Sequence, residues 1–165
     1  MWLIVLVGVL AVALLGSVAF ATWSVIRWSD PARTPTEAGI PQYAQQAVTA
    51  ATAASERIFS YDYRTFDNDV KRGLEVCTGG FADDYRELTE ALRAHAEREQ
   101  AIVRAEVSEA SVVKASPKRV EVLLFLNQYR RNVNLTGEKV DQNRTVLVMV
   151  PGPKHTWLIS EATAL

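Results

Sequence analysis

Residues 101–129, AIVRAEVSEASVVKASPKRVEVLLFLNQY, contain the change of hydrophobic period that decides the fold. From 103 to 107, Val and Ala alternate with Arg and Glu, and this two-residue period is typical of a strand with one solvated face. At Ala110 the apolar residues move from odd to even positions, which predicts a β-bulge near Ser108 and Glu109. A curved sheet is therefore expected in this half of the chain.

A second strand is predicted from 120 to 129, after a turn at Ser116 and Pro117. Its middle, residues 122–126, is apolar at every position, so both faces of the strand should be covered. We expect one face to meet helices and the other to line a cavity or to contact a partner.

Two further strands are predicted at 145–150 and 155–160. Residues 132–141 form the expected hairpin connection before them, and the sequence Pro-Gly-Pro-Lys at 151–154 predicts a tight turn between them. The predicted sheet therefore has four antiparallel strands.

Three helices are predicted before the sheet. In the first, which ends near Phe59, small or apolar residues have the spacing of one helix face. They are Ala47, Ala51, Ala54 and Ile58. The second helix has Thr65 as its predicted N-cap and is broken at 78–80. The third runs from 81 to about 100 and has one apolar side. That side carries Phe81, Tyr85, Leu88 and Leu92. Residues 42–165 are expected to form an α+β domain, with three helices packed on one face of the curved sheet.

An apolar run without a charged side chain extends from Trp2 to Ile26. At about 1.5 Å per residue it is roughly 37 Å long, enough to cross a hydrocarbon core of about 30 Å. We expect an uncleaved single-pass anchor in the cytoplasmic membrane at residues 1–28, followed by a Pro-rich linker at 29–41. The alternative is a signal peptide cleaved at the small-x-small triplet 19–21, but the apolar run is longer than a signal peptide needs.

The composition excludes several classes of function. The 18 basic and 19 acidic side chains leave a net charge of −1, which excludes a strongly basic nucleic-acid-binding protein. Because Cys77 is the single cysteine, no intramolecular disulfide or thiolate metal site forms, and we expect it to be a packing group rather than a reactive thiol. The two histidines lack metal-binding spacing, and His95 is expected at the edge of the core. No catalytic, cofactor-binding or metal-binding residue is predicted.

Charged clusters are interpreted as surface features. Asp62, Asp67 and Asp69 lie at a predicted helix start, where carboxylates favour the positive end of the helix dipole. The basic tracts at 118–119 and 129–131 lie at strand ends among acidic residues. They are expected to be solvated sheet edges rather than sites for phospholipid headgroups or nucleic acid.

The order of these features resembles a known family. The apolar run, the linker and an Ala-rich helix lead to residues 58–63, Ile-Phe-Ser-Tyr-Asp-Tyr. Thr65-Phe66-Asp67 and Thr78-Gly79 follow, and Trp157-Leu158-Ile159 stands near the end. The sequence resembles the Mce-associated (mammalian cell entry-associated) membrane proteins of actinobacteria.

This resemblance implies a cone-shaped domain similar to nuclear transport factor 2 and to the assembly-factor subunit of type IV secretion systems. It implies a domain outside the cytoplasmic membrane, although Arg27 and Arg33 after the apolar run would by themselves place it inside. It also implies a non-enzymatic accessory or scaffold protein that stabilises a multi-subunit lipid importer. The implied partners are lipid-transporter subunits or related Mce-associated proteins, and self-association stays open.

Two other functions are compatible with the sequence. An enzyme or small-ligand carrier built on this cone fold would need an acid or base inside the cone, and His95, Asp62 and Tyr63 are the candidates. A lipid-contacting protein would instead have the apolar strand 120–126 facing a hydrophobic cavity.

Overall fold

The structure is a computed structural model that describes residues 39–165. The predicted membrane anchor, residues 1–28, and most of the predicted linker lie outside the described residues. Within 39–165, no helix combines the length and the apolar character that crossing a membrane requires.

Helix α1, Gln42–Ile58, packs on the sheet through a stripe of alanines. Ala44, Ala47 and Ala51 are completely buried, and Ala54 is nearly so. The small side chains let the helix backbone approach the strands closely, because Ala adds little bulk at the contact and favours the helix. The predicted first helix and its buried face are confirmed.

Two further helices complete the helical layer. Helix α2, Phe66–Leu74, begins after Thr65, as predicted, and helix α3, Gly79–Glu99, is the longest of the three. Helix α3 ends at Gln100, whose backbone is left-handed with φ of 51°. From there the chain turns directly into the sheet.

The described residues form one antiparallel sheet of five strands in the order β1-β2-β3-β4-β5. The strands are β1 Tyr61–Asp62, β2 Ile102–Ser116, β3 Arg119–Arg131, β4 Lys139–Pro151 and β5 Trp157–Ala164. The prediction of four strands was wrong because it missed β1, which pairs only with Ile102 and Val103 of β2. Two residues are too few to produce a period in the sequence.

The predicted bulge in β2 is confirmed by a register shift between Val107 and Glu109. A second shift, between Val112 and Lys114, was not predicted. Both shifts add curvature to the sheet, because a bulge increases the local twist and bends the strand.

The hairpins are tighter than predicted. Strand β4 begins at Lys139 rather than near 145, so the predicted hairpin connection at 132–141 is partly strand. A short 3₁₀ turn, Pro153–His155, joins β4 to β5, and the last strand continues to Ala164 rather than ending at 160. Both strands were underestimated because their ends are polar, whereas backbone pairing to β3 and β4 does not require apolar side chains.

Strand β3 shows which face of the sheet meets the helices. Val120, Val122 and Leu124 are completely buried in the core that contains the alanines of α1. Leu123 and Phe125 alternate with them, so they point to the opposite, outer face. The prediction that both faces of this strand are apolar is therefore correct, and only one of them is covered by helices in 39–165.

Candidate functional site: an apolar cavity under helix α3

A cavity of about 510 Å³ lies between α3 and the inner face of the sheet. Its wall is formed by the end of α1, by α2 and α3, and by β3, β4 and the end of β5. Most of the lining side chains are aromatic or aliphatic. They include Phe59, Tyr61, Phe66, Val70, Phe81, Tyr85, Leu88, Leu92, Leu126, Ala162 and Leu165. The size and lining are those of a site for a small apolar molecule.

A pair of amides lies on the sheet side of the cavity. Asn143 donates a hydrogen bond of 2.7 Å from Nδ2 to Oε1 of Gln128. Nε2 of Gln128 in turn lies 3.4 Å from the carbonyl oxygen of Phe59, at the end of α1. The strand alternation directs both amides to the helix side, since the buried residues Leu126 and Thr145 flank them on that face. The amides therefore orient each other on the sheet side of a mainly apolar wall, with Gln128 partly buried and Asn143 exposed.

Tyr85 is the most deeply buried aromatic side chain of the cavity wall on α3, with 7% of its surface exposed. Its ring lies against Gly73 of α2 so closely that a Cβ on that glycine would stand 2.3 Å from the phenol oxygen. The hydroxyl has no hydrogen-bond partner among residues 39–165. Burial raises the pKa of Tyr85 to about 12, so the phenol is neutral at physiological pH.

Asp69 lies in the cavity wall, and both oxygens of its carboxylate have partners within the protein. Its Oδ2 accepts hydrogen bonds from the backbone N–H of Asp62 at 2.9 Å and from the Thr65 hydroxyl at 3.0 Å. Arg72 pairs with its other oxygen. The side chain is buried, so these bonds tie the short strand β1 to helix α2. Asp69 is therefore a structural anchor, and its interpretation as a surface carboxylate was wrong because its side chain is buried.

The structure brings none of the three candidate catalytic side chains into this cavity. His95 is half exposed, with Nε2 3.3 Å from the carboxylate of Glu99, so its predicted place at the edge of the core was wrong. Asp62 lies outside the wall of this cavity and pairs with Arg64, whose hydrogen bonds lower the pKa of Asp62. Tyr63 is fixed through its backbone N–H, which donates to Ala101 at 3.1 Å.

Two other predictions on the helices can be compared with the structure. Cys77 is buried, donates from Sγ to the Gly73 carbonyl at 3.2 Å, and has a pKa raised by burial to about 11. It is a packing group, as predicted. Leu88 was expected in the core but is 67% exposed and stands at the rim of the cavity. Residues 39–165 contain no group of three or more His, Cys, Asp or Glu side chains that could hold a metal ion.

The basic tracts lie at strand ends, as predicted, and carry their own counterions. Arg119 pairs with Glu161 at 2.8 Å, Arg130 with Asp141 at 2.6 Å, and Arg131 with Glu138 at 2.9 Å. Paired guanidinium groups at an exposed edge leave little free positive charge for a phosphate.

Sequence reasoning missed the residues that define the cavity. The contact between Tyr85 and Gly73 joins two helices, and the amide pair joins two strands, so neither has a local period. The available signals were a glycine inside a helix and amides continuing the core positions of β3 and β4.

No family model and no curated protein matches this sequence. Solved structures match over most of the chain. The periplasmic domain of DotI has a TM-score of 0.64 at 10% identity and covers 77% of this chain and 98% of that one. An IcmL-like type IV secretion system protein from Legionella pneumophila has a TM-score of 0.61 at 17% identity, covering 77% and 96%. VirB8 from Agrobacterium tumefaciens has a TM-score of 0.57 at 6% identity, covering 76% and 94%. At these identities the likeness shows a shared fold: residues 39–165 have the VirB8-like, nuclear transport factor 2-like architecture, and the resemblance to the Mce-associated family stays a prediction.

Proposed function

We propose that this chain is a non-enzymatic, membrane-anchored accessory subunit that supports the assembly of a multi-subunit complex in the cell envelope. The likeness in fold carries the proposal, because the matched solved structures include a type IV secretion system protein and the periplasmic domain of DotI. This chain covers 96% and 98% of those structures, so the shared part is their whole domain and not a fragment.

The finer proposal is that the complex is an Mce-type lipid transporter and that the domain lies outside the cytoplasmic membrane. The sequence resemblance supports the choice of transporter. The matched periplasmic domain supports the side of the membrane. Fold alone does not determine a partner, so this part of the proposal needs its own experiment.

The outer face of the sheet offers a place for a subunit to bind. Leu123, Phe125 and Val146 form an outer apolar patch, because they alternate with the core residues of β3 and β4. Phe125 is 39% exposed, and the pair of Arg119 with Glu161 borders the patch. An apolar centre with a charged rim is the usual anatomy of a protein interface.

The test is an affinity pull-down of the tagged full-length protein from mildly solubilised native membranes. We expect the wild type to recover permease or substrate-binding subunits of a lipid transporter. Phe125→Glu should reduce this recovery by about tenfold or more, the effect of losing a central apolar contact. Val133→Glu is the matched control, because Val133 is 60% exposed and lies in the loop after β3, outside the patch.

Two results would count against this function. Recovery of the tagged protein alone would remove the evidence for an assembly role. Unchanged transporter subunit levels and unchanged lipid uptake after deletion of the gene would exclude a role in that transporter. An enzymatic function is the weaker alternative, since His95, Asp62 and Tyr63 all lie outside the cavity.

A further inference from the structure

We propose that the cavity under α3 binds a neutral, mainly hydrocarbon molecule that carries one hydroxyl or carbonyl group. This inference is independent of the accessory function. It rests on the shape of the cavity and on the neutral polar groups of its wall that keep a free donor or acceptor within residues 39–165.

The wall determines the hydrocarbon part of the molecule. Aromatic and aliphatic side chains from α2, α3 and the sheet enclose about 510 Å³, a volume typical of sites that bury most of a small ligand. Leu88 and Leu165 stand at the opening with 67% and 68% of their surfaces exposed. Large apolar side chains left exposed beside an apolar cavity favour a ligand that covers them.

Tyr85 determines the polar part. The side chain is nine-tenths buried and lines the cavity, and its hydroxyl has no partner within the described part of the chain. A ligand oxygen that bonds to this hydroxyl gains affinity, since a hydrogen bond contributes about 0.5–1.5 kcal/mol net. The phenol can donate to a carbonyl or accept from a hydroxyl.

The amide pair offers a second polar contact. Gln128 and Asn143 use one hydrogen bond to hold each other, and Oδ1 of Asn143 accepts none from residues 39–165. A hydroxyl can donate to this oxygen, and a carbonyl can accept from the second N–H of either amide. Neutral polar groups of this kind fix the orientation of a ligand without selecting a charge.

The charges at the cavity argue against an anionic ligand. The Asp69 carboxylate is already bonded to three groups. Asp84 lies in the wall, is exposed, and makes no ion pair within 39–165, so it repels an anion. Arg144 also contributes to the wall, but the alternation of β4 directs its side chain to the outer face, opposite Phe125. Arg144 is the one cationic residue in the wall formed by residues 39–165, so this surface offers little positive charge to a carboxylate.

The test uses the full-length protein in lipid nanodiscs and a photoreactive hexadecanol carrying a diazirine. After irradiation, labelled peptides are mapped by mass spectrometry, and only labelling removed by excess unlabelled hexadecanol is counted. We expect labels on α3 around Leu88 and Leu92 and on β3 around Leu126. Palmitate and hexadecane should compete more weakly than hexadecanol, because the first adds a charge and the second lacks the oxygen.

Three variants make the test specific. Tyr85→Phe keeps the ring and should weaken competition by hexadecanol about fivefold, the value of one hydrogen bond, while competition by hexadecane stays unchanged. Leu88→Lys should reduce labelling, and Val133→Lys, a similarly exposed apolar site outside the cavity, should not. Thermal unfolding of each variant checks that its fold is retained.

The proposal is overturned if labelling is not competed by hexadecanol, or if it maps outside the cavity wall. Palmitate competing as well as hexadecanol would refute the preference for a neutral molecule. Equal loss of hexadecanol and hexadecane competition in Tyr85→Phe would refute the assigned role of the hydroxyl.

Discussion

Replacing Gly73 by Ala tests the contact on which one wall of the cavity depends. The added Cβ would stand 2.3 Å from the phenol oxygen of Tyr85 and 2.7 Å from its Cζ. The ring must retreat by roughly 1 Å to restore normal contact distances. Overpacking of this kind costs about 1–3 kcal/mol, whereas Ala in a helix gains about 1 kcal/mol over Gly. Because three atoms of Tyr85 would stand within 3.0 Å of the added Cβ, the overpacking cost should lie in the upper part of that range, about 2–3 kcal/mol, and we expect a net destabilisation of about 1–2 kcal/mol.

Urea unfolding of the full-length protein, followed by circular dichroism, measures this change. Gly80→Ala is the matched control, because nothing lies within 4 Å of its Cβ position in α3, and we expect it to be neutral or stabilising. In a Tyr85→Leu background the ring is absent, so Gly73→Ala should become stabilising. If Gly73→Ala is as stable as the wild type, or if its effect is the same in both backgrounds, the proposed contact is wrong.

Three further changes follow from the same structure. Asp69→Ala removes the buried carboxylate that joins β1 to α2 and should cost about 3 kcal/mol in urea unfolding, whereas Asp67→Ala, at an exposed ion pair, should cost less than about 1 kcal/mol. Lys154→Gly should raise the midpoint of thermal unfolding, with a gain of up to about 1 kcal/mol, because Lys154 has a φ of 53° that favours glycine; a lower midpoint would contradict this. Burial raises the pKa of Tyr85 from 10.0 to about 12 in the folded state. The stability that the neutral phenol contributes is therefore fully present below pH 10 and is lost as the pH rises toward 12. The free energy of unfolding should therefore fall by roughly 2–3 kcal/mol between pH 10 and pH 12. In Tyr85→Phe the fall should be smaller, and the part that is left comes from groups such as Cys77, which still titrates.

The elements with strong local patterns could be predicted from the sequence. The spacing of the alanines predicts α1, because a helix that buries one face needs a small or apolar residue at every third or fourth position. The phase shift before Ala110 gives the bulge because strand register has a period of two. Strand β1 gives no such signal: Tyr61 and Asp62 pair with β2 because Asp69 holds them there through a contact seven residues away.

Helix α3 shows why the site itself could not be predicted. Its apolar side was expected to be uniformly buried, yet Tyr85 and Ala96 are buried while Leu88 is exposed. The pattern predicts which side of a helix faces the sheet, but not how far the sheet lies from it. His95 shows the same limit, since it is adjacent to the buried Ala96 and differs from it by about 100° around the helix.

The cavity can be explained by the lengths of the elements that surround it. Helix α1 has 17 residues and is about 26 Å long, whereas the 13 residues of β3 extend about 43 Å. The alanine helix can therefore cover only part of the inner face. It ends at Ile58, which lines the cavity, and beyond it the sheet presents Leu126 and Gln128 to a longer helix that carries larger side chains. Those larger side chains hold α3 farther from the sheet than the alanines hold α1. The cavity between α3 and the sheet therefore follows from the same difference in side-chain size that lets α1 pack closely.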